Sequence, residues 1–140
     1  MTIIARNEST QIGSVNFITY LDAINATDVR ETLESIIQGN RNSKVLILTG
    51  VHNSEVGSAD REIEFSQEDV RSILAVGGSP DNIKVVDVGR GDPNSASDAI
   101  ANSVVRFQPR YIIWASCKSA SDHIVLGILQ GLKDHGHLNY

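Results

Sequence analysis

Short apolar runs alternate along this chain with polar, glycine-bearing stretches, and the period of each run predicts its element. Residues 44–49, Lys44-Val45-Leu46-Ile47-Leu48-Thr49, are apolar almost without a break. That pattern fits a strand covered on both faces, as in a parallel sheet. Residues 83–88 and 111–115 repeat it, the latter as Tyr111-Ile112-Ile113-Trp114-Ala115. Between these runs the apolar positions are spaced helically. Val29, Leu33, Ile36 and Ile37 share one helical face behind Thr27, which reads as the N-cap, and Gly39-Asn40 reads as the stop. Ser66 reads as the cap of a second helix, with Phe65 and Val70 placed as a hydrophobic staple. Val70, Ile73 and Leu74 would face inward there, and Gly77-Gly78-Ser79-Pro80 closes the helix. A third helix is expected over 95–107, buried through Ile100, Val104 and Phe107 and stopped by Pro109. Ser119 or Ser121 is expected to cap the last one, with Ile124, Ile128, Leu129 and Leu132 inward and Gly136 at its end.

The entry to the chain is β-rich. Residues 2–5 form one short β-favouring run and residues 15–20 another, with the polar stretch from Asn7 to Gly13 suited to a hairpin loop between them. Residues 51–64 read as a polar loop. Strands and helices alternating at these lengths predict parallel pairing with crossover helices. The expected fold is one α/β domain over residues 1–140: a three-layer, Rossmann-like arrangement around a mainly parallel sheet, with a short N-terminal β-hairpin.

Length agrees, since 140 residues bury one core and not two. With 41% hydrophobic, 21% charged and only 5% aromatic residues, that core must be built from Ile, Val, Leu and Ala. The formal charge of -5, without a Lys/Arg cluster, argues against a nucleic-acid backbone or an anionic membrane as partner. No apolar run approaches the roughly 18 residues of a membrane span, and Met1 to Arg6 lacks the apolar stretch of a signal peptide. A cytoplasmic location, or delivery to a target cytosol, is the expectation. A single cysteine, Cys117, excludes an internal disulfide.

The sheet predicts where chemistry gathers. In doubly wound sheets the first strand of such a series is commonly central, with the second on one side and the third on the other. Residues 83–88 and 111–115 would then flank 44–49, and the crevice would open at the carboxyl ends of 44–49 and 111–115. The first runs out into Gly50-Val51-His52-Asn53, the other into Ser116-Cys117-Lys118. Neighbouring strands lie roughly 5 Å apart, so His52 and Cys117 come within reach of each other. A thiol attacks as thiolate, and an adjacent imidazole or the N-terminus of the last helix lowers its pKa from about 8.5. Backbone N–H groups at Cys117 and Asn53 would hold an oxyanion, and His52 would protonate the leaving group. Gly50, Asn53, Ser116, Lys118, Asp87 and Asp92 are the candidate pocket residues. The substrate expected is a peptide or small molecule, hydrolysed through a thioester, with neither cofactor nor metal.

Hydrophobic strand, small residue, Gly, His, followed later by hydrophobic strand, small residue and Cys, is similar to caspase-like cysteine peptidases, and that resemblance implies a His52/Cys117 dyad. The chain departs from them in carrying Asn53 where Gly follows the His, and in the strand 83–88 between the two motifs. The stretch from Ile47 to His52, through Phe65, Glu68 and Asp69, also resembles C-terminal domains of bacterial polymorphic toxins.

Plainer readings stand beside these. Cys117 follows an apolar strand and reads equally as a buried structural thiol; His52 reads as surface. Gly89-Arg90-Gly91-Asp92 is short of a dinucleotide fingerprint and reads as a turn. His135-Gly136-His137, with His123, lacks ligand partners at convincing spacing and reads as a frayed polar C-terminus. The carboxylates from Glu55 to Asp69 read as solvated surface. The alternative function is non-enzymatic: a Rossmann-like ligand-binding module, or an oligomerising one whose hairpin adds strands to a neighbour's edge.

Overall fold

The computed structural model describes residues 6–51, 77–90, 97–116 and 118–140. Five strands and three longer helices lie within them: β1 (Asn7–Ile12), β2 (Val15–Tyr20), α1 (Ala26–Gly39), β3 (Val45–Val51), β4 (Ile83–Arg90), α2 (Ser97–Phe107), β5 (Tyr111–Ala115) and α3 (Ile124–Asp134). The helix expected at 66–77 and the strand expected at 2–5 fall outside the described residues.

All five strands join one sheet in the order β1-β2-β5-β3-β4. β3 pairs in parallel with both β4 and β5, and β5 in parallel with β2; the β1–β2 hairpin is antiparallel. The chain is thus a mixed α/β protein with a mostly parallel sheet, and the expected central position of the first long strand is observed. The hairpin is built into this chain's own sheet through β2, leaving β1 as the edge.

Both faces of the central strands are buried, which explains their unbroken apolar sequence. Val45 and Ile47, with Ile113 and Ala115, pack against Val29, Leu33 and Ile37 of α1. Leu46 and Leu48, with Ile112 and Trp114, pack with Ile100 and Val104 of α2 and Val125 and Leu129 of α3. The period of two along each strand therefore sends alternate residues into two separate clusters. In α3 Leu129 is fully buried and Ile128 and Leu132 pack partly buried against the core, as expected from spacing, and Val125 joins them as a further fully buried position.

Three boundaries differ from expectation, each for a local reason. The polar stretch 7–12 is a strand and not a loop: as an edge strand it exposes five of its six side chains, so no alternation marks it. The connection is the tight turn at Gly13-Ser14, where Gly13 takes a left-handed φ of 59°. α1 is capped by Asn25, two residues before Thr27, through a reciprocal capping box: Asp28 N–H donates to Asn25 Oδ1 at 3.0 Å, and Asn25 N–H donates to Asp28 Oδ2 at 2.8 Å. The tail is not frayed. Leu138 is fully buried in the core, its carbonyl accepts from Ser14 N–H at 2.8 Å, and Tyr140 donates its hydroxyl to Pro109 O at 2.6 Å.

Behind the hairpin, Tyr20 donates its hydroxyl to Thr32 Oγ1 at 2.8 Å, and Thr32 in turn donates to Asp28 O at 3.0 Å. Burial pushes the Tyr20 phenol up to about 12; the Thr32 hydrogen bond opposes this and the nearby Asp28 charge adds to it.

Candidate functional site

The chain passes from β3 to β4 on one side, then crosses by α2 to β5 on the other. The switch point therefore falls between β3 and β5, at their carboxyl ends. Thr49 of β3 is in register with Ala115 of β5 on one side and with Asp87 of β4 on the other. His52 follows Thr49 by three residues and Cys117 follows Ala115 by two. β3 and β5 are adjacent and parallel, so their carboxyl ends lie at the same end of the sheet. His52, Asn53, Asp92 and Cys117 themselves lie outside the described residues.

The remaining pocket candidates are placed as follows. Gly50 sits in β3 at an irregularity: Thr49 pairs with Asp87 but Val51 pairs with Arg90, so β4 carries one residue more than β3 over this interval. Such bulges turn a strand end and recur beside active sites. Gly89 and Arg90, expected to lie in a turn, belong to β4 because of this extra length. Asp87 lies in β4 three residues before its end. Ser116 is buried directly after β5; its N–H donates to Trp114 O at 2.9 Å and its carbonyl accepts from Ser119 N–H at 3.2 Å. Lys118 is exposed, takes a left-handed φ of 55°, and donates its N–H to Asp22 O at 3.1 Å.

The last helix does not begin at Ser119 or Ser121. Those residues form a single 3-10 turn, and α3 starts at Ile124. Asp122 causes the delay: its Oδ1 accepts from Ile124 N–H at 2.7 Å, and its Oδ2 accepts from the Trp114 indole N–H at 2.8 Å. Six residues separate Cys117 from the start of α3 in sequence, more than the single turn over which a helix dipole acts, so the helix support expected for the thiol does not follow from the observed helix start.

Ser119, expected only as a helix cap, and Asp122, which no local pattern singled out, are the polar residues that brace the segment after β5. Ser119 is fully buried; its Oγ accepts from Tyr20 N–H at 2.9 Å and donates to Trp114 O at 2.9 Å. The available signal was a tryptophan in a buried strand, whose indole N–H must find an acceptor. A cleft of about 200 Å³ lined by Val105, Gln108, His137 and Tyr140 lies near the start of β5, at the opposite end of the sheet from the β3 and β5 exits. Among the described residues no group of His, Asp and Glu side chains is arranged to hold a metal ion, and no helix is long and apolar enough to cross a membrane.

One five-stranded, mostly parallel sheet with helices packed on it and an antiparallel N-terminal hairpin defines the class: a mixed α/β protein. A family model, Tox-HDC, described as a toxin with a H, D/N and C signature, matches residues 14–135. The chain belongs to this toxin family. No curated protein and no solved structure matches it. The toxin side of the resemblance read from sequence is thus supported by the family match, and the caspase-like side has no counterpart among these findings.

Proposed function

We propose that this toxin domain is a cysteine hydrolase in which Cys117 is the nucleophile and His52 the general base and acid, with Asp87 among the residues that shape the pocket. The observation carrying the reading is the β4-β3-β5 order with Asp87, Thr49 and Ala115 in mutual register. Asp87 belongs to the first of these adjacent strands, and in sequence His52 and Cys117 follow the ends of the other two by one and two residues. A signature of H, D/N and C needs a cysteine and the chain has one; His52 is its only histidine before that cysteine. Helices on both sheet faces support the finer description of the fold as three-layered and Rossmann-like.

In this reading His52 takes the thiol proton and the thiolate adds to an acyl carbon. An S–C bond forms while the carbonyl π pair moves to oxygen. Backbone N–H groups after the two strands stabilise that oxyanion. The C–N bond then breaks as His52 returns the proton to the leaving amine, and water hydrolyses the thioester. The exposed ammonium of Lys118, next in sequence to Cys117, adds positive charge that favours the thiolate. The substrate is a peptide or small amide, met in the cytosol of a target cell.

The test is expression of wild type, Cys117→Ser and His52→Ala in a bacterial host, with native-state alkylation of the thiol by iodoacetamide across pH. Wild type should arrest growth and alkylate with a midpoint well below 8.5. Both variants should be harmless, and His52→Ala should move the midpoint upward. Undiminished toxicity of Cys117→Ser, or a thiol that reacts only after unfolding, refutes the assignment.

A further inference from the structure

β2 and β5 are paired for only part of their length. Asn16 N–H donates to Arg110 O at 2.8 Å, and the partners run from Asn16↔Tyr111 to Ile18↔Ile113. Bonds in a parallel ladder recur every second residue. Continued four residues on, this ladder would have Tyr20 N–H donate directly to Trp114 O. The Ser119 hydroxyl occupies that place, accepting from Tyr20 N–H and donating to Trp114 O, both at 2.9 Å. One oxygen inserted between the donor and acceptor of a strand pair forces the two strands apart at their carboxyl ends.

The loop after β5 is seated in this split. Ser119 N–H donates to Ser116 O, Lys118 N–H donates to Asp22 O beyond β2, and Asp122 N–H donates to Ser119 O. Asp122 ties the far end of the loop back to β5 through the Trp114 indole. The backbone on either side of residue 117 is therefore anchored independently: Ser116 to β5, and Lys118 to the segment after β2. A reactive thiol needs a fixed approach geometry, and displacements of about 1 Å at a reacting group can cost on the order of a hundredfold in rate.

We propose that Ser119 is a positioning residue for the Cys117 thiol: its hydroxyl wedges β2 from β5 and fixes the backbone at Ser116 and Lys118 that flanks the cysteine. This rests on the cysteine-hydrolase reading above, deepening it by naming what holds the thiol in place. Ser119 touches no substrate. Its effect passes through the backbone at 116–119.

The experiment compares iodoacetamide alkylation rates against pH for folded wild type, Ser119→Ala, Ser119→Thr and Thr32→Ala. Thr32→Ala removes the partner of the Tyr20 hydroxyl without touching the loop, and so reports what loss of stability alone does to the profile. Ser119→Ala should raise the thiol midpoint by about one pH unit, equivalent to about tenfold slower alkylation at pH values well below both midpoints. Ser119→Thr, which keeps the hydroxyl, should restore the wild-type curve, and Thr32→Ala should not move it. An unchanged profile in folded Ser119→Ala, or an equal shift in Thr32→Ala, overturns the proposal while leaving the dyad standing. A wild-type midpoint at or above 8.5 removes the dyad and this role together. Should Ser119→Ala fail to fold, native-state hydrogen exchange of wild type decides: the Tyr20 and Lys118 amides should exchange only by global unfolding, and exchange through local opening overturns the wedge.

Discussion

Asp122 carries the sharpest stability prediction. It is buried, and its two carboxylate oxygens satisfy two donors: the Trp114 indole N–H at 2.8 Å and the Ile124 backbone N–H at 2.7 Å. Asp122→Ala removes both acceptors. The Ile124 N–H is at a helix start where water can replace the lost partner, so the main cost is the indole N–H, stranded in the core. Hydrogen bonds to charged groups contribute about 1.5–3 kcal/mol, and an unsatisfied buried donor costs about 1–3 kcal/mol. Taken with the weaker cap term, Asp122→Ala should lose roughly 2–4 kcal/mol. For a domain of this size that is a fall in Tm on the order of 6–20 °C. Asp122→Asn keeps one acceptor and should lose about half as much. Urea unfolding followed by fluorescence of Trp114, the single tryptophan, reads both variants, with circular dichroism as a second probe. In a Trp114→Phe background the Asp122→Ala cost should shrink by about 1–2 kcal/mol, the coupling of a direct contact. A loss below about 0.5 kcal/mol, or full additivity in the double mutant, would show that the indole is satisfied without the carboxylate and that the brace is not structural.

Further expectations concern the hairpin, the tail and the phenols. At Gly13 an added Cβ would stand 2.6 Å from Leu138 O and 2.9 Å from Leu138 Cβ, at a φ of +59°, and Gly13→Ala should therefore destabilise by roughly 2–4 kcal/mol in urea unfolding; wild-type stability would contradict the close approach. Leu138→Ala empties a fully buried site and should cost about 2–4 kcal/mol, whereas a neutral result would mean the tail does not dock. The Tyr20 phenol, raised from 10.0 to about 12 in the folded state, ionises first in the unfolded chain. Its contribution, roughly 2–3 kcal/mol, is complete below pH about 10 and is lost as pH rises toward about 12. Tyr140, raised in the same direction by burial, ionises late as well. Tyr20→Phe should flatten the alkaline fall in stability; an unchanged slope would assign that fall to other groups.

How much of this was legible in the sequence depended on how far each contact reaches. β3 and β5 declared themselves because burial on both faces leaves an unbroken apolar run, and the general winding rule for α/β sheets supplied their adjacency. β1 did not declare itself, since an edge strand in solvent has no hydrophobic period to read. The α1 cap was misjudged between two good capping residues, although the Asn25–Asp28 spacing carried the reciprocal pattern. Ser119 was beyond reach. Its defining bond joins it to Tyr20, 99 residues away, and nothing local distinguishes a serine that inserts between strands from one that caps a helix.

The exposed hairpin has a consequence for how the sheet keeps its alignment. Sliding most half-buried strands by one position carries their whole apolar set into water, and that penalty locks them. Residues 7–11 offer no such penalty, for Ile12 is the first side chain in β1 that the core shelters. Alignment must therefore be imposed from the corner, where a left-handed glycine fits beneath the Leu138 carbonyl and the neighbouring amide bonds to it. Leu138 thus acts as a gauge for β1: exposed positions such as 8–10 can be exchanged among soluble β-formers, while one residue added at the corner would throw the edge out of step.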